Sequence, residues 1–140
     1  MDAQSPAEKN KAVVAQFFDA NDRSFDDLVE MIKATVDPDF VVAQAPGLPY
    51  GGDYRGVEGY LEVQEKIRSE LLDLSVEDLE IVAEGDTVLT MFRMLGTSSS
   101  TGNKYDMRQV EVWRFRDGKL VSLTPFYYDT HEIRKIVGLA

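Results

Sequence analysis

Tyr105-Asp106-Met107-Arg108-Gln109-Val110-Glu111-Val112-Trp113-Arg114-Phe115-Arg116-Asp117-Gly118 is the stretch on which the fold turns. Alternate residues of an extended chain point to opposite faces. Met107, Gln109, Glu111, Trp113 and Phe115 therefore share one face, and Asp106, Arg108, Val110, Val112 and Arg114 share the other. The bulky apolar groups belong to the first set, so that face is expected to look inward. Asp117-Gly118 marks a hairpin, because both residues tolerate the positive φ of a tight two-residue turn. The flanking sequence extends the hairpin into a meander. Residues 75–82 and 88–95 alternate with period two around a Gly85-Asp86 turn, 97–102 is a polar loop, and 120–128 is a fourth strand. Pro125 lacks an N–H, which places it at a bulge or on a sheet edge.

Upstream of Leu74 the period is helical. Ser5-Pro6-Ala7-Glu8 is a capping box with proline at the first helical position, and Val13, Val14, Phe17 and Phe18 form the apolar stripe behind it, to about Asn21. Ser24 caps a second helix with Asp26 and Asp27 in its first turn and Phe25, Leu28, Val29, Ile32 and Val36 on one face. Asp37-Pro38-Asp39 stops it. Residues 40–42 read as a short strand, and Pro46, Gly47, Pro49, Gly51 and Gly52 as a loop. Val57, Tyr60, Val63, Ile67 and Leu71 mark a third helix. Residues 132–137 read as a short C-terminal helix. Helices followed by an antiparallel meander define an α+β fold.

Residues 1–140 are the right size for one domain with a real core. The net charge of −10 argues against nucleic acid or anionic lipid as a partner, since both need clustered Lys and Arg. The charge is unevenly spread: 53–86 holds eleven acids against three bases, whereas 87–128 holds three acids against six bases. Glu111 is the one acid of 87–128 that alternation points inward. There is no cysteine and one histidine, His131, which removes thiol chemistry and supplies no zinc set. No phosphate- or dinucleotide-binding glycine motif is present, so no cofactor is expected. No 18-residue apolar run exists, and the polar, acidic start Met1-Asp2-Ala3-Gln4-Ser5-Pro6 is no signal peptide; a cytoplasmic protein is expected.

Three stretches together carry a family resemblance: residues 46–59 leading into the third helix, Ala83-Glu84-Gly85-Asp86-Thr87-Val88 leading into a strand that ends Gly96-Thr97, and residues 110–120 followed by Phe126-Tyr127-Tyr128-Asp129. In this order and spacing the chain resembles the nuclear transport factor 2-like superfamily, in its SnoaL-like or ketosteroid-isomerase-like branch. The resemblance covers nearly the whole chain. It implies a cone-shaped α+β barrel, with three N-terminal helices packed on a curved antiparallel sheet, a short C-terminal helix and an internal pocket. Function varies widely on this fold.

Carried over residue by residue, the resemblance is partial. Ketosteroid isomerases place a proton-moving Asp before the proline at the position of Pro46, where this chain has Ala45. Their first-helix oxyanion Tyr falls where this chain has Phe17 and Phe18. Their third-strand acid matches Glu111. Asp129 sits like the acid that ends the last strand of SnoaL-type polyketide cyclases. The expected catalytic residues are thus Glu111 and Asp129, and the expected ligand-contacting residues are Phe18, Tyr50, Tyr54, Phe92, Gln109, Trp113 and Tyr127, with no metal.

Each has a structural alternative. An apolar shell raises a carboxyl pKa toward neutrality and suits Glu111 to proton transfer, but a salt bridge to an Arg, or a hydrogen bond to Gln109 or Tyr127, would make it structural. Asp129 suits a helix cap. The expectation is a small hydrophobic molecule bound in the pocket, and whether it is turned over, by a cofactor-independent isomerase, cyclase, dehydratase or epoxide hydrolase, is left open by the sequence. The alternative is a ligand-binding or homodimeric accessory module. The half-apolar outer sheet face is expected to pair two copies.

Overall fold

The computed structural model describes residues 4–139; Met1–Ala3, part of the segment read for a leader, lie outside the described residues. The helical elements start where the sequence caps them. Ser5 Oγ accepts from the Glu8 N–H at 3.2 Å at the head of α1 (Pro6–Arg23), and Ser24 Oγ accepts from the Asp27 N–H at 3.1 Å at the head of α2 (Phe25–Thr35). Then come β1 (Val36–Gln44), β2 (Gly52–Arg55), α3 (Gly56–Glu70), β3 (Leu71–Glu84), β4 (Thr87–Ser98), β5 (Lys104–Arg116), β6 (Lys119–Tyr127) and α4 (Thr130–Ile136).

The architecture is the expected α+β one, with three helices against a curved sheet and a short fourth helix behind. Its sheet is open and mixed, with order β2-β1-β6-β5-β4-β3. β3 to β6 form the antiparallel meander, joined at one corner by the Asp117-Gly118 turn, where both residues take positive φ (51° and 79°). Two features depart from the sequence reading. β1 lies parallel to β6, and the stretch read as a loop contains β2, which pairs antiparallel with β1 from Val41–Arg55 to Gln44–Gly52. Neither pairing has a local signature, since β2 is only four residues long and β1 meets β6 across most of the chain.

The prolines obey the pairing rules in different ways. Asp37-Pro38-Asp39 does end α2, yet it sits inside β1, where the register with β6 shifts between Val36 and Val41. Pro38 thus occupies an irregularity. Pro125 lies in an interior strand, but the β1–β6 register ends at Val42–Leu123, so Pro125 faces a partner only on the β5 side, opposite Glu111. β3 begins four residues before the expected Ser75. Asp73 and Asp78 take positive φ (54° and 58°) at two register shifts, which reset the alternation and blur the period-two pattern.

The core lies between α1–α3 and the concave sheet face. Phe17 stacks on Tyr60 at 6.2 Å, Tyr60 on Phe40 at 5.2 Å, and Phe17 meets Trp113 at 5.4 Å. Gly59 lets α3 press onto β2: a Cβ there would lie 2.5 Å from the Tyr54 carbonyl carbon. β5 alternates as expected, with Tyr105, Met107, Gln109, Trp113 and Phe115 buried and Asp106, Arg108, Val110 and Arg114 exposed. Among the described residues no helix is long and apolar enough to cross a membrane.

Candidate functional site

The helices do not fill the concave face. Between α1, α3 and the strands lies a cavity of about 100 Å³. Phe18, Phe92, Trp113 and Leu123 give it apolar walls, and Gln44, Gln109, Glu111, Arg68, Asn21 and Gln64 give it polar ones. Phe18 packs edge-on to Phe92 at 5.3 Å and against Trp113 at 6.1 Å, so α1 supplies the lid over these strand residues.

Glu111 is on the cavity lining because β5 alternates, and it lies opposite Thr90 because β4 and β5 pair in that register. It is half-buried and lines the cavity. Thr90 Oγ1 donates to Glu111 Oε1 at 3.4 Å and accepts from Trp113 Nε1 at 3.1 Å. Among the described residues no Lys, Arg or His pairs with Glu111. Desolvation therefore dominates and pushes its carboxyl up to about 7; hydrogen bonds from Thr90 and Gln109 pull the other way. The salt-bridge alternative for this acid has no partner, whereas the Gln109 hydrogen bond exists as a restraint. A carboxyl of this kind is shared between acid and base forms at neutral pH and sits in contact with open volume.

The other expected residues divide. Phe18, Phe92, Gln109, Trp113 and Tyr127 line the cavity together with Glu111. Tyr50 and Tyr54 do not; both are buried beside it. Tyr50 donates from its hydroxyl to that of Tyr127 at 3.1 Å, and burial pushes its pKa up to about 12. Tyr54 donates to the Tyr50 carbonyl at 2.9 Å. These two tyrosines brace the wall behind Tyr127. Asp129 is exposed, away from the cavity, and its Oδ1 accepts from the Glu132 N–H at 3.1 Å as the N-cap of α4. His131 is an exposed residue of the same helix.

Sequence reasoning passed over Thr90, Arg68, Asn21, Gln44 and Gln64. Thr90 could not be read without the β4–β5 register. Gln64 and Arg68 carry a faint signal, a polar i,i+4 pair at the border of the Tyr60–Val63–Ile67 stripe. Gln44 Oε1 and Gln109 Oε1 are buried with no hydrogen-bond partner, as is Arg68 Nε. Buried polar atoms are rarely left so, and these three belong to residues lining one cavity.

A half-open α+β cone with one inward carboxyl defines a class of small pocket-bearing domains, and sequence comparison gives it a family. The model of the SnoaL-like domain matches residues 14–123, and the chain belongs to that family. No curated protein matches it. Solved structures share the fold. An NTF2-like protein from Burkholderia xenovorans LB400 superposes with a TM-score of 0.81 at 24% identity, over 94% of this chain and 97% of its own. A protein described provisionally as a SnoaL-like polyketide cyclase, from Jannaschia sp. CCS1, gives 0.81 at 18% identity, over 100% and 99%. TerC, co-crystallised with polyporic acid, gives 0.78 at 21% identity, over 93% and 98%.

Proposed function

We propose that this chain encloses a small hydrophobic molecule in the cone cavity and moves a proton on it with Glu111, without a cofactor. The observation that carries the reading is the carboxyl itself: inward, unpaired with any cation among the described residues, raised to about 7 and lining the cavity. A general acid–base group is most effective when its pKa lies near the working pH. Glu111 is the one acid among the described lining residues, so the same group must take and return the proton. That suits an isomerisation or an aldol-type cyclisation better than a reaction needing two carboxyls. The polyketide-cyclase description of the Jannaschia structure and the polyporic acid held by TerC are in keeping with it.

The test is deuterium uptake from solvent into a panel of β,γ-unsaturated ketones and β-keto esters, followed by NMR. The wild-type chain should catalyse exchange with a midpoint near pH 7 on at least one member, and Glu111→Gln should not. Equal exchange by Glu111→Gln would remove the proton-transfer role. It would leave a non-catalytic binding module, a reading favoured by Ala45, Phe17 and Phe18 standing where related isomerases carry functional groups.

The outer face of the sheet is read as a homodimer surface. The pairing register sets Met91, Val110 and Phe126 in one row and Leu89 beside Val112 in the next. Phe126 and Tyr128 are 59% and 74% exposed, unusual for aromatic side chains on a closed surface. Sedimentation should give a dimer for the wild type and a monomer for Phe126→Asp; a wild-type monomer at micromolar concentration would refute the pairing.

A further inference from the structure

The helix-side wall of the cavity carries a cation with no anion beside it. Arg68 sits in the last turn of α3. One Nη donates to Asn21 Oδ1 on α1, and the guanidinium lies over the Phe25 ring at 5.1 Å. Its Nε is buried and has no acceptor. Among the described residues no Asp or Glu pairs with it. Burial pulls its pKa down, so the surroundings oppose the charge they hold. A buried N–H without an acceptor is destabilising, and more so on a charged group. Asn21 and Phe25 fix the plane of the guanidinium but leave its Nε edge without an acceptor.

The shape of that edge points to its complement. An arginine presents parallel N–H donors in a rigid fork that matches the two oxygens of a carboxylate. The rest of the cavity is apolar where Phe18, Phe92, Met94 and Trp113 form it. Its volume of about 100 Å³ compares with the ~150 Å³ of an apolar cavity that holds benzene. The enclosed part of a ligand is therefore no larger than a single small ring or a short branched chain.

We propose that Arg68 is the anion-recognition group of this cavity and that its ligand is a small carboxylate with a ring-sized apolar body. The inference rests on the cavity being a ligand site, as read above, and names the ligand's class. Asn21 and Phe25 act as positioning residues for the guanidinium.

The chain has one tryptophan, Trp113, and it lines the cavity, so its emission reports occupancy. The probes are sodium benzoate and benzyl alcohol, matched in ring size, titrated by Trp113 emission and by calorimetry. Benzoate should bind the wild type at least about tenfold tighter than benzyl alcohol. Arg68→Gln should erase that preference while keeping benzyl alcohol affinity within about twofold. Should Arg68→Gln fail to fold, Arg68→Lys carries the test: it keeps the charge, loses the fork, and should lose most of the benzoate preference. Equal binding of both probes to the wild type, or an undiminished benzoate preference in the variants, overturns the assignment and leaves the cavity a ligand site. No response to either probe overturns the ligand reading and the inference with it.

Discussion

Replacing Glu111 by Gln removes the charge while keeping the shape, and the consequence can be worked from its surroundings. In the unfolded chain this carboxyl titrates near 4.5; in the fold, desolvation raises it to about 7. Between those values the folded state holds a proton that the unfolded state has released. Stability then falls as pH rises, and the loss is complete above the folded value. At about 1.36 kcal/mol per pH unit the full cost is about 3 kcal/mol, of which about 2 kcal/mol falls between about pH 5.5 and about pH 8. The lower part of the range lies near the isoelectric point of about 4.5, where solubility is poor. Glu111→Gln has no such cost. Urea unfolding of both proteins, followed by Trp113 emission, should therefore show Gln already ahead by about 1 kcal/mol at about pH 5.5. Gln should be the more stable by about 2 kcal/mol more at about pH 8 than at about pH 5.5. Taking the difference cancels the other carboxylates and His131. A difference that does not change with pH would mean that Glu111 is ionised at an ordinary value, and the desolvation argument would fall.

Thr90→Val leaves the Trp113 N–H without an acceptor and takes a donor from Glu111, so it should cost about 1–3 kcal/mol in urea unfolding. It should also move the pH midpoint of the Glu111-linked stability loss upward, since that donor holds the carboxyl down. Gly59→Ala gains about 1 kcal/mol in helix propensity but drives a methyl to 2.5 Å from the Tyr54 backbone, and overpacking of this kind costs about 1–3 kcal/mol. Thermal unfolding should show net destabilisation, and a raised Tm would contradict the close approach of α3 to β2. Asp129→Ala should lose about 0.5–2 kcal/mol of cap stability and leave benzyl alcohol binding unchanged; a changed affinity would return Asp129 to the site.

The inward set on β5 was legible because alternation is a local rule and Trp113 and Phe115 declare which face is buried. The caps at Ser5, Ser24 and Asp129 were legible for the same reason, each needing only a side chain three residues from an N–H. The tyrosines were harder. Tyr50 and Tyr54 stand in a stretch rich in glycine and proline, where neither period applies, and only the hydrogen bonds from Tyr54 to Tyr50 and from Tyr50 to Tyr127 show that both are wall supports. Arg68 was passed over because a polar residue beside an apolar helical stripe normally faces water.

By itself, then, the sequence determined the α+β order, the capped helices, the hairpins and the direction in which Glu111 points, since each follows from contacts a few residues apart. Tertiary structure decided the parallel seat of β1 on β6, the seat of Thr90 opposite Glu111 and the cavity over both. It also decided that, among the described residues, neither Glu111 nor Arg68 has a counter-charge within ion-pair distance. Ion pairing and desolvation are sums over neighbours from the whole chain, and here those neighbours come from α1, α3, β4 and β5 together.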